Sequence, residues 1–162
     1  MVVITARTLS PDPSSLAGRE RDSLRLTWEE RRWTRRRAVT SSGREVALAL
    51  PTGTVLRAGD VLVVEPAWYL VVDARPEPVL AVFPRDRGEA IRLAFEVGNR
   101  HFSLALCVDA ILVPDDSAMR QLATRLGLPW ERREAVYEPI GGGHRHEPGT
   151  SPIDGHAHAR RG

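Results

Sequence analysis

The stretch Asp86-Arg87-Gly88-Glu89-Ala90-Ile91-Arg92-Leu93-Ala94-Phe95-Glu96-Val97-Gly98-Asn99-Arg100-His101 decides the fold. Asp86 followed three residues later by Glu89 reads as a capping box, in which the Asp oxygen takes the N3 amide and Glu89 reaches back. Ile91, Ala94, Phe95 and Gly98 follow at helical spacing. Gly98 is the expected helix end, because glycine tolerates the left-handed conformation there. Ahead of this helix, Val79 to Phe83 reads as a buried strand. Behind it, His101 to Val108 alternates, with Phe102, Leu104, Leu106 and Val108 on one face. Ile111 to Val113 is a second short strand. Pro114-Asp115-Asp116 starts a second helix, whose apolar stripe is Met119, Leu122, Ala123 and Leu126 and whose cap is Gly127. Arg132 to Tyr137 supplies a last strand. The order is βαββαβ, the ferredoxin-like split.

The chain before this stretch has a different texture. Arg36 to Thr40 and Glu45 to Leu50 flank Ser41-Ser42-Gly43 as a hairpin. Val61 to Val64 and Trp68 to Val72 are further short strands between turns. Arg75-Pro76-Glu77-Pro78 is a stiff joint. The fold class is therefore α+β, with an all-β domain over residues 1–76 and a ferredoxin-like domain over 77–140. Residues 141–162, glycine-rich and nearly devoid of apolar side chains, are expected to form a disordered His-containing tail.

Composition sets outer bounds. The chain has 162 residues, 42% of them apolar and 27% charged, an ordinary profile for a water-soluble chain with a core. No run approaches the length of a membrane helix, and no secretory leader is visible. One cysteine, Cys107, excludes an internal disulfide and suits a cytoplasmic location. Net charge is +2, too mild to argue for nucleic acid by itself. All 23 cationic residues are arginine, spread along the chain.

Four of the five histidines, His144, His146, His156 and His158, lie in the tail. Imidazole suits divalent ions such as nickel, copper and zinc, and two His-x-His pairs on a bending chain can meet one ion. A solvated polar tail is the equal alternative. His101 alone reads as a hydrogen-bonded surface residue at a strand start. Cys107 reads as a small core residue, with a redox or metal role as the lesser alternative. Arg31-Arg32-Trp33-Thr34-Arg35-Arg36-Arg37 is read as an exposed strand face balanced by Glu29 and Glu30. The alternative for this run is an RNA or phosphate contact. No Gly-x-Ser-x-Gly, phosphate-binding loop or dinucleotide fingerprint is present, so no enzyme is expected.

Glu96-Val97-Gly98-Asn99-Arg100-His101 resembles the Gly-Asn-Arg-His signature of the UreE urease accessory protein family, dimeric nickel metallochaperones. Trp28-Glu29-Glu30-Arg31, Gly43-Arg44-Glu45-Val46, the segment Gly53 to Leu62 and Arg75-Pro76-Glu77-Pro78-Val79-Leu80 are similar to the family's pattern in the same order. The resemblance implies a peptide-binding-like N-terminal domain and a C-terminal domain that dimerises and binds metal. It implies that His101 meets its mate across a two-fold axis and that tail histidines complete the coordination. Gly98, Asn99 and Arg100 would support the motif by orienting the loop. The implied cargo is Ni(II), with Cu(II) or Zn(II) as competitors. Binding would weaken as pH falls through about 6, where protons compete for imidazole. The implied partners are a second copy of the chain, a urease accessory GTPase and the urease apoprotein complex, with neither a membrane nor nucleic acid. Two alternatives stand beside nickel delivery: a folding scaffold for the urease complex with secondary metal binding, and an RNA-binding module. Family members with further histidines near the segment that here reads Val113-Pro114-Asp115-Asp116-Ser117 differ from this chain, which has none there.

Overall fold

A computed structural model describes residues 1–6 and 11–141. Short apolar runs separated by turns build the first six strands: β1 (Val2–Ile4), β2 (Glu20–Leu26), β3 (Arg35–Val39), β4 (Glu45–Ala49), β5 (Val61–Val64) and β6 (Trp68–Ala74). Two four-residue helices interrupt them, α1 (Pro13–Leu16) and α2 (Trp28–Arg31). The strands form two three-stranded sheets, ordered β1-β4-β3 and β2-β6-β5. Each holds one parallel pair, β1 with β4 and β2 with β6. The expected hairpin is β3–β4, antiparallel around Ser41-Ser42-Gly43, with Gly43 at φ 85° supplying the left-handed turn position. Leu24, Val46, Leu48, Leu56, Leu70 and Val72 fill the core between the sheets.

The helix α2 escaped the sequence reading, yet its signature is present. Thr27-Trp28-Glu29-Glu30 is a complete capping box: the Thr27 hydroxyl accepts the Glu30 amide at 3.3 Å, and the Glu30 carboxylate accepts the Thr27 amide at 2.9 Å. Its consequence is to turn Trp28 and Arg31 toward the second half of the chain.

That second half contains β7 (Glu77–Val82), α3 (Arg87–Asn99), β8 (Ala105–Leu106), β9 (Ile111–Pro114), α4 (Ser117–Arg125) and β10 (Trp130–Ala135). The sheet order is β10-β7-β9-β8, with every neighbouring pair antiparallel, the ferredoxin-like arrangement. Central β7 is buried on both faces. Leu80 and Val82 point to α3 and α4, while Val79 and Ala81 face a second cluster that includes Tyr137 and Trp28. Trp28 thus joins the β-rich region to the far face of this sheet.

Several local expectations are corrected. Glu89 reaches past Asp86 and accepts the Arg85 amide at 2.7 Å, so only the Asp86 half of the box forms, with Asp86 Oδ1 accepting the Glu89 amide at 2.9 Å. The buried face of α3 is Leu93 and Val97; Ile91 and Phe95, expected inside, are 59% and 65% exposed. The alternating strand from His101 to Val108 is reduced to Ala105–Leu106, because residues 101–104 are taken up by the helix exit. Cys107 is exposed in the turn between β8 and β9, where its amide donates to the Ala110 carbonyl at 2.9 Å. It is not a core residue. The tail histidines His144, His146, His156 and His158 lie outside the described residues.

Asp22 on β2 is 2% exposed and holds the Ser41-Ser42-Gly43 turn against the second sheet. Its carboxylate accepts the Ser23 amide at 2.8 Å, the Ser42 amide at 3.1 Å and hydroxyl, and Arg44 Nη1 at 2.9 Å. Burial alone raises this carboxyl. The hydrogen bonds from Ser42, Thr40, Arg44 and the Ser23 amide outweigh it and hold the group well below its ordinary 3.8. A depressed folded-state value stabilises the fold above the ordinary value and loses that contribution as pH falls toward the depressed one. Asp22→Asn is therefore expected to cost about 1–3 kcal/mol in urea unfolding at pH 7. The deficit relative to the parent should shrink steadily below pH ~4.

Candidate metal centre

His101 stands where α3 ends, and the ending has a defined form. Arg100 is the last residue of helical character, and His101 follows at φ 59°, the only non-glycine left-handed residue among those described. The His101 amide donates to the Gly98 carbonyl at 2.9 Å, and the Phe102 amide donates to the Val97 carbonyl at 3.2 Å. This pair of bonds is a Schellman motif with His101 at C′. Phe102 and Val97 share one apolar cluster, the side-chain contact that accompanies the motif.

The molecule contains its own control. Helix α4 ends in the same motif, with the Gly127 amide on Thr124 and the Leu128 amide on Ala123, both at 3.0 Å. There the left-handed residue is Gly127, at φ 67°. The two ends differ in that a glycine is replaced by a histidine, at a backbone cost of roughly 1 kcal/mol. Gly98, expected to be the cap, is instead inside α3, and its exposed position leaves open space where a Cβ would stand.

Neighbouring side chains secure the helix end. Arg100 Nη1 donates to the Glu96 carbonyl at 2.8 Å and to its carboxylate at 2.5 Å. Arg125, at the end of α4, approaches the same carboxylate at 3.4 Å. The Arg100 guanidinium, with Arg125 behind it, holds the Glu96 carboxyl below the usual range. A carboxylate in the last turn of a helix opposes the helix dipole, and two arginines offset that. Arg100 is thus drawn back along α3, while His101 and Asn99 are exposed.

On the chain's next turn, the Tyr137 hydroxyl and the Ser103 hydroxyl lie 3.0 Å apart, and the Ile140 amide donates to the Leu104 carbonyl at 2.8 Å. Burial, reinforced by the charge of Glu77, pushes the Tyr137 phenol up to about 12 despite the opposing bond to Ser103, so it stays neutral. Among the described residues, no three His, Cys, Asp or Glu converge on one point.

The arginine run is the exposed face expected of it only in part, with Arg31 as the exception. Arg31 is 1% exposed and bonded to the Tyr137 carbonyl and Glu138. Arg36 pairs with Glu30 at 3.6 Å and lies 4.1 Å over the Trp33 ring. What remains on β3 is Arg35 and Arg37, both exposed.

Comparison with known proteins matches this two-part body. Residues 5–75 match the family model for the UreE urease accessory protein, N-terminal domain, and residues 77–161 match that for its C-terminal domain. The chain belongs to the UreE urease accessory protein family. It is 40% identical over 143 residues to a urease accessory protein UreE of Ralstonia nicotianae, covering 84% of this chain and 68% of that one. The protein of the same name from Cupriavidus necator is 39% identical over 132 residues, covering 79% of this chain and 69% of that one. One from Albidiferax ferrireducens is 32% identical over 174 residues, covering 96% of this chain and all of that one. Membership in an accessory-protein family fits a part in urease maturation. Among the described residues of this UreE-family chain, no helix is long and apolar enough to cross a membrane.

Two reciprocal substitutions test the helix-end analysis. His101→Gly should stabilise the chain by about 0.5–1 kcal/mol, raising the calorimetric Tm by about 1–4 °C. Gly127→His should lower it by a similar amount, since only backbone strain and no steric contact opposes the new side chain.

Proposed function

We propose that this protein is a nickel-binding metallochaperone that delivers Ni(II) during assembly of the urease active site. The observation that carries the reading is the exposed histidine held at a left-handed helix end where glycine is the more stable choice. A position that opposes stability while keeping an imidazole rigidly displayed is explained by ligation. It lies inside Gly98-Asn99-Arg100-His101, in a chain of an accessory family named for urease.

One imidazole does not hold nickel, so further ligands are required. We assign them to a second copy's histidine at the same position and to His144, His146, His156 and His158. Support for the second copy comes from α3. Ile91 and Phe95 lie four residues apart on one face, exposed, and Gly98 continues that line toward His101. A two-fold contact along this line places two copies of His101 near the axis, where one ion is shared. Support for the tail comes from chain length. Ile140 is bonded to Leu104, three residues from His101, and His144 follows Ile140 by four residues, a reach of at most about 14 Å.

In this reading residues 77–140 form the dimerising and metal-binding unit, 1–76 a peptide-binding-like unit and 141–162 a ligand-bearing tail. Gly98, Asn99 and Arg100 orient the loop. The protein is a carrier and not an enzyme, works in the cytoplasm, and hands its ion to a urease accessory GTPase and the urease apoprotein complex. Cu(II) and Zn(II) compete for the same imidazoles.

Calorimetric nickel titration with light scattering tests this. The intact protein should be a dimer binding about one tight ion per two chains. His101→Ala should abolish that site with the dimer intact. Phe95→Asp should yield monomers that lack it. Changing all four tail histidines to alanine should weaken binding but leave a site dependent on His101. A monomeric parent, or one whose tight nickel binding survives His101→Ala, contradicts the reading.

A further inference from the structure

Strand β3 is an edge of the sheet β1-β4-β3. Its ladder with β4 is framed by the Leu50 amide on the Thr34 carbonyl, at 2.8 Å, and the Thr40 amide on the Arg44 carbonyl, at 2.9 Å. Bonded residues alternate along an antiparallel ladder, so 34, 36, 38 and 40 direct their main-chain groups to β4. Arg35, Arg37 and Val39 turn theirs the other way, to the open edge. Among the described residues no main-chain group pairs with them there.

The side chains of the same three residues stand exposed on one face of the sheet. Alternate residues of a strand lie about 6.7 Å apart, so two cationic positions and one apolar position form a row. Among the described residues neither Arg35 nor Arg37 has an ion-pair or ring partner, whereas Arg36 between them is held by Glu30 and Trp33. A second copy is a poor occupant of this edge: antiparallel pairing about Arg37 sets that arginine against its own mate. Nucleic acid is a poor occupant too. Phosphates accept hydrogen bonds but donate none to the outward carbonyls, and Glu45, opposite Val39, adds a negative charge beside the row.

We propose that the open edge of β3 is a docking site for an acidic, extended segment of a partner protein, which adds to the sheet as a fourth strand. Run antiparallel, a segment of the pattern apolar-x-acidic-x-acidic sets its apolar residue against Val39 and its carboxylates against Arg37 and Arg35. All three contacts lie on the exposed face of the sheet. Main-chain bonds supply affinity, and the two ion pairs supply the choice of partner. This rests on the reading of residues 1–76 as a peptide-binding-like unit, and gives that unit a place and a ligand chemistry.

The experiment is an NMR titration of the full-length chain, with amide exchange measured at saturation. The probe is an end-blocked peptide of about nine residues, with valine, aspartate and glutamate at alternate positions and threonine between them. The Arg35, Arg37 and Val39 amides should gain about tenfold protection, while Arg36 and Ala38, already bonded to β4, change little. Asparagine and glutamine in place of the acidic residues should weaken binding about tenfold, as should Arg35→Gln with Arg37→Gln. Methylating the peptide's amide nitrogens at its acidic residues should abolish binding, and at the intervening threonines should spare it. Arg35→Glu with Arg37→Glu should transfer the preference to the same peptide with lysines at the acidic positions. Binding without the alternating protection, or equal binding of the neutral peptide, overturns the proposal. So does tighter binding of a single-stranded RNA of similar length that depends on the same arginines. Peptide binding that shifts amides only elsewhere in residues 1–76 overturns the β3 site and leaves the peptide-binding reading standing. If no acidic, neutral or basic peptide shifts any amide of residues 1–76, the underlying reading itself is overturned.

Discussion

The buried guanidinium of Arg31 is the constraint on which the two halves of this chain depend. A cation taken out of water is costly unless its donors are matched, and removing one partner of such a group typically costs about 3–5 kcal/mol. Here Nη2 meets a carbonyl, Nη1 a carboxylate and the face of the group an indole, while the buried Nε is left without a partner. Because the Tyr137 carbonyl and Glu138 lie more than a hundred residues from Arg31, the β-rich half and the ferredoxin-like half have to be in register for the charge to be satisfied. An apolar contact would join them with less geometric specificity. The complete capping box at Thr27 and Glu30 orients α2 so that Arg31 points across the junction and not into solvent.

From that junction the route to His101 is short. The same segment that accepts Arg31 is bonded to Ser103 and Leu104, and these follow the Schellman end of α3. His101 is thereby displayed by three independent supports. They are the paired amide bonds on Val97 and Gly98, the apolar contact of Phe102, and the Glu96–Arg100–Arg125 ion cluster at the helix end. The comparison with Gly127 shows what the histidine displaces: a residue that makes the same turn without strain. Proteins accept such strain where a side chain is needed for something other than folding.

Much of this was legible in the sequence, and the parts that were not have physical reasons. The βαββαβ order followed from the Asp86 and Asp116 caps and from short apolar runs such as Val79 to Val82. The family resemblance followed from ordered motifs, and the matches to the family's two domains agree with it. The orientation of α3 was misread because its apolar residues cover more than one face. Leu93 and Val97 face the sheet, and Ile91 and Phe95 do not, a distinction that tertiary packing makes and periodicity alone does not. The strand after His101 was overextended because alternation in residues 101–108 mimics a strand that the helix exit had already consumed. Cys107 was placed in the core on residue type, but a tight turn put it outside. Arg31 was invisible as a buried residue because its partners at 137 and 138 are distant in sequence; its one local signal was the Thr27–Glu30 box.

The central claim is that nickel is held by imidazoles with His101 among them, and X-ray absorption at the nickel edge of the loaded protein addresses it most directly. The account predicts a nitrogen and oxygen shell with the multiple scattering of imidazole, no sulfur, and loss of the imidazole signal from the tight site on His101→Ala. A sulfur shell from the exposed Cys107, or an imidazole signal that persists unchanged without His101, would contradict it.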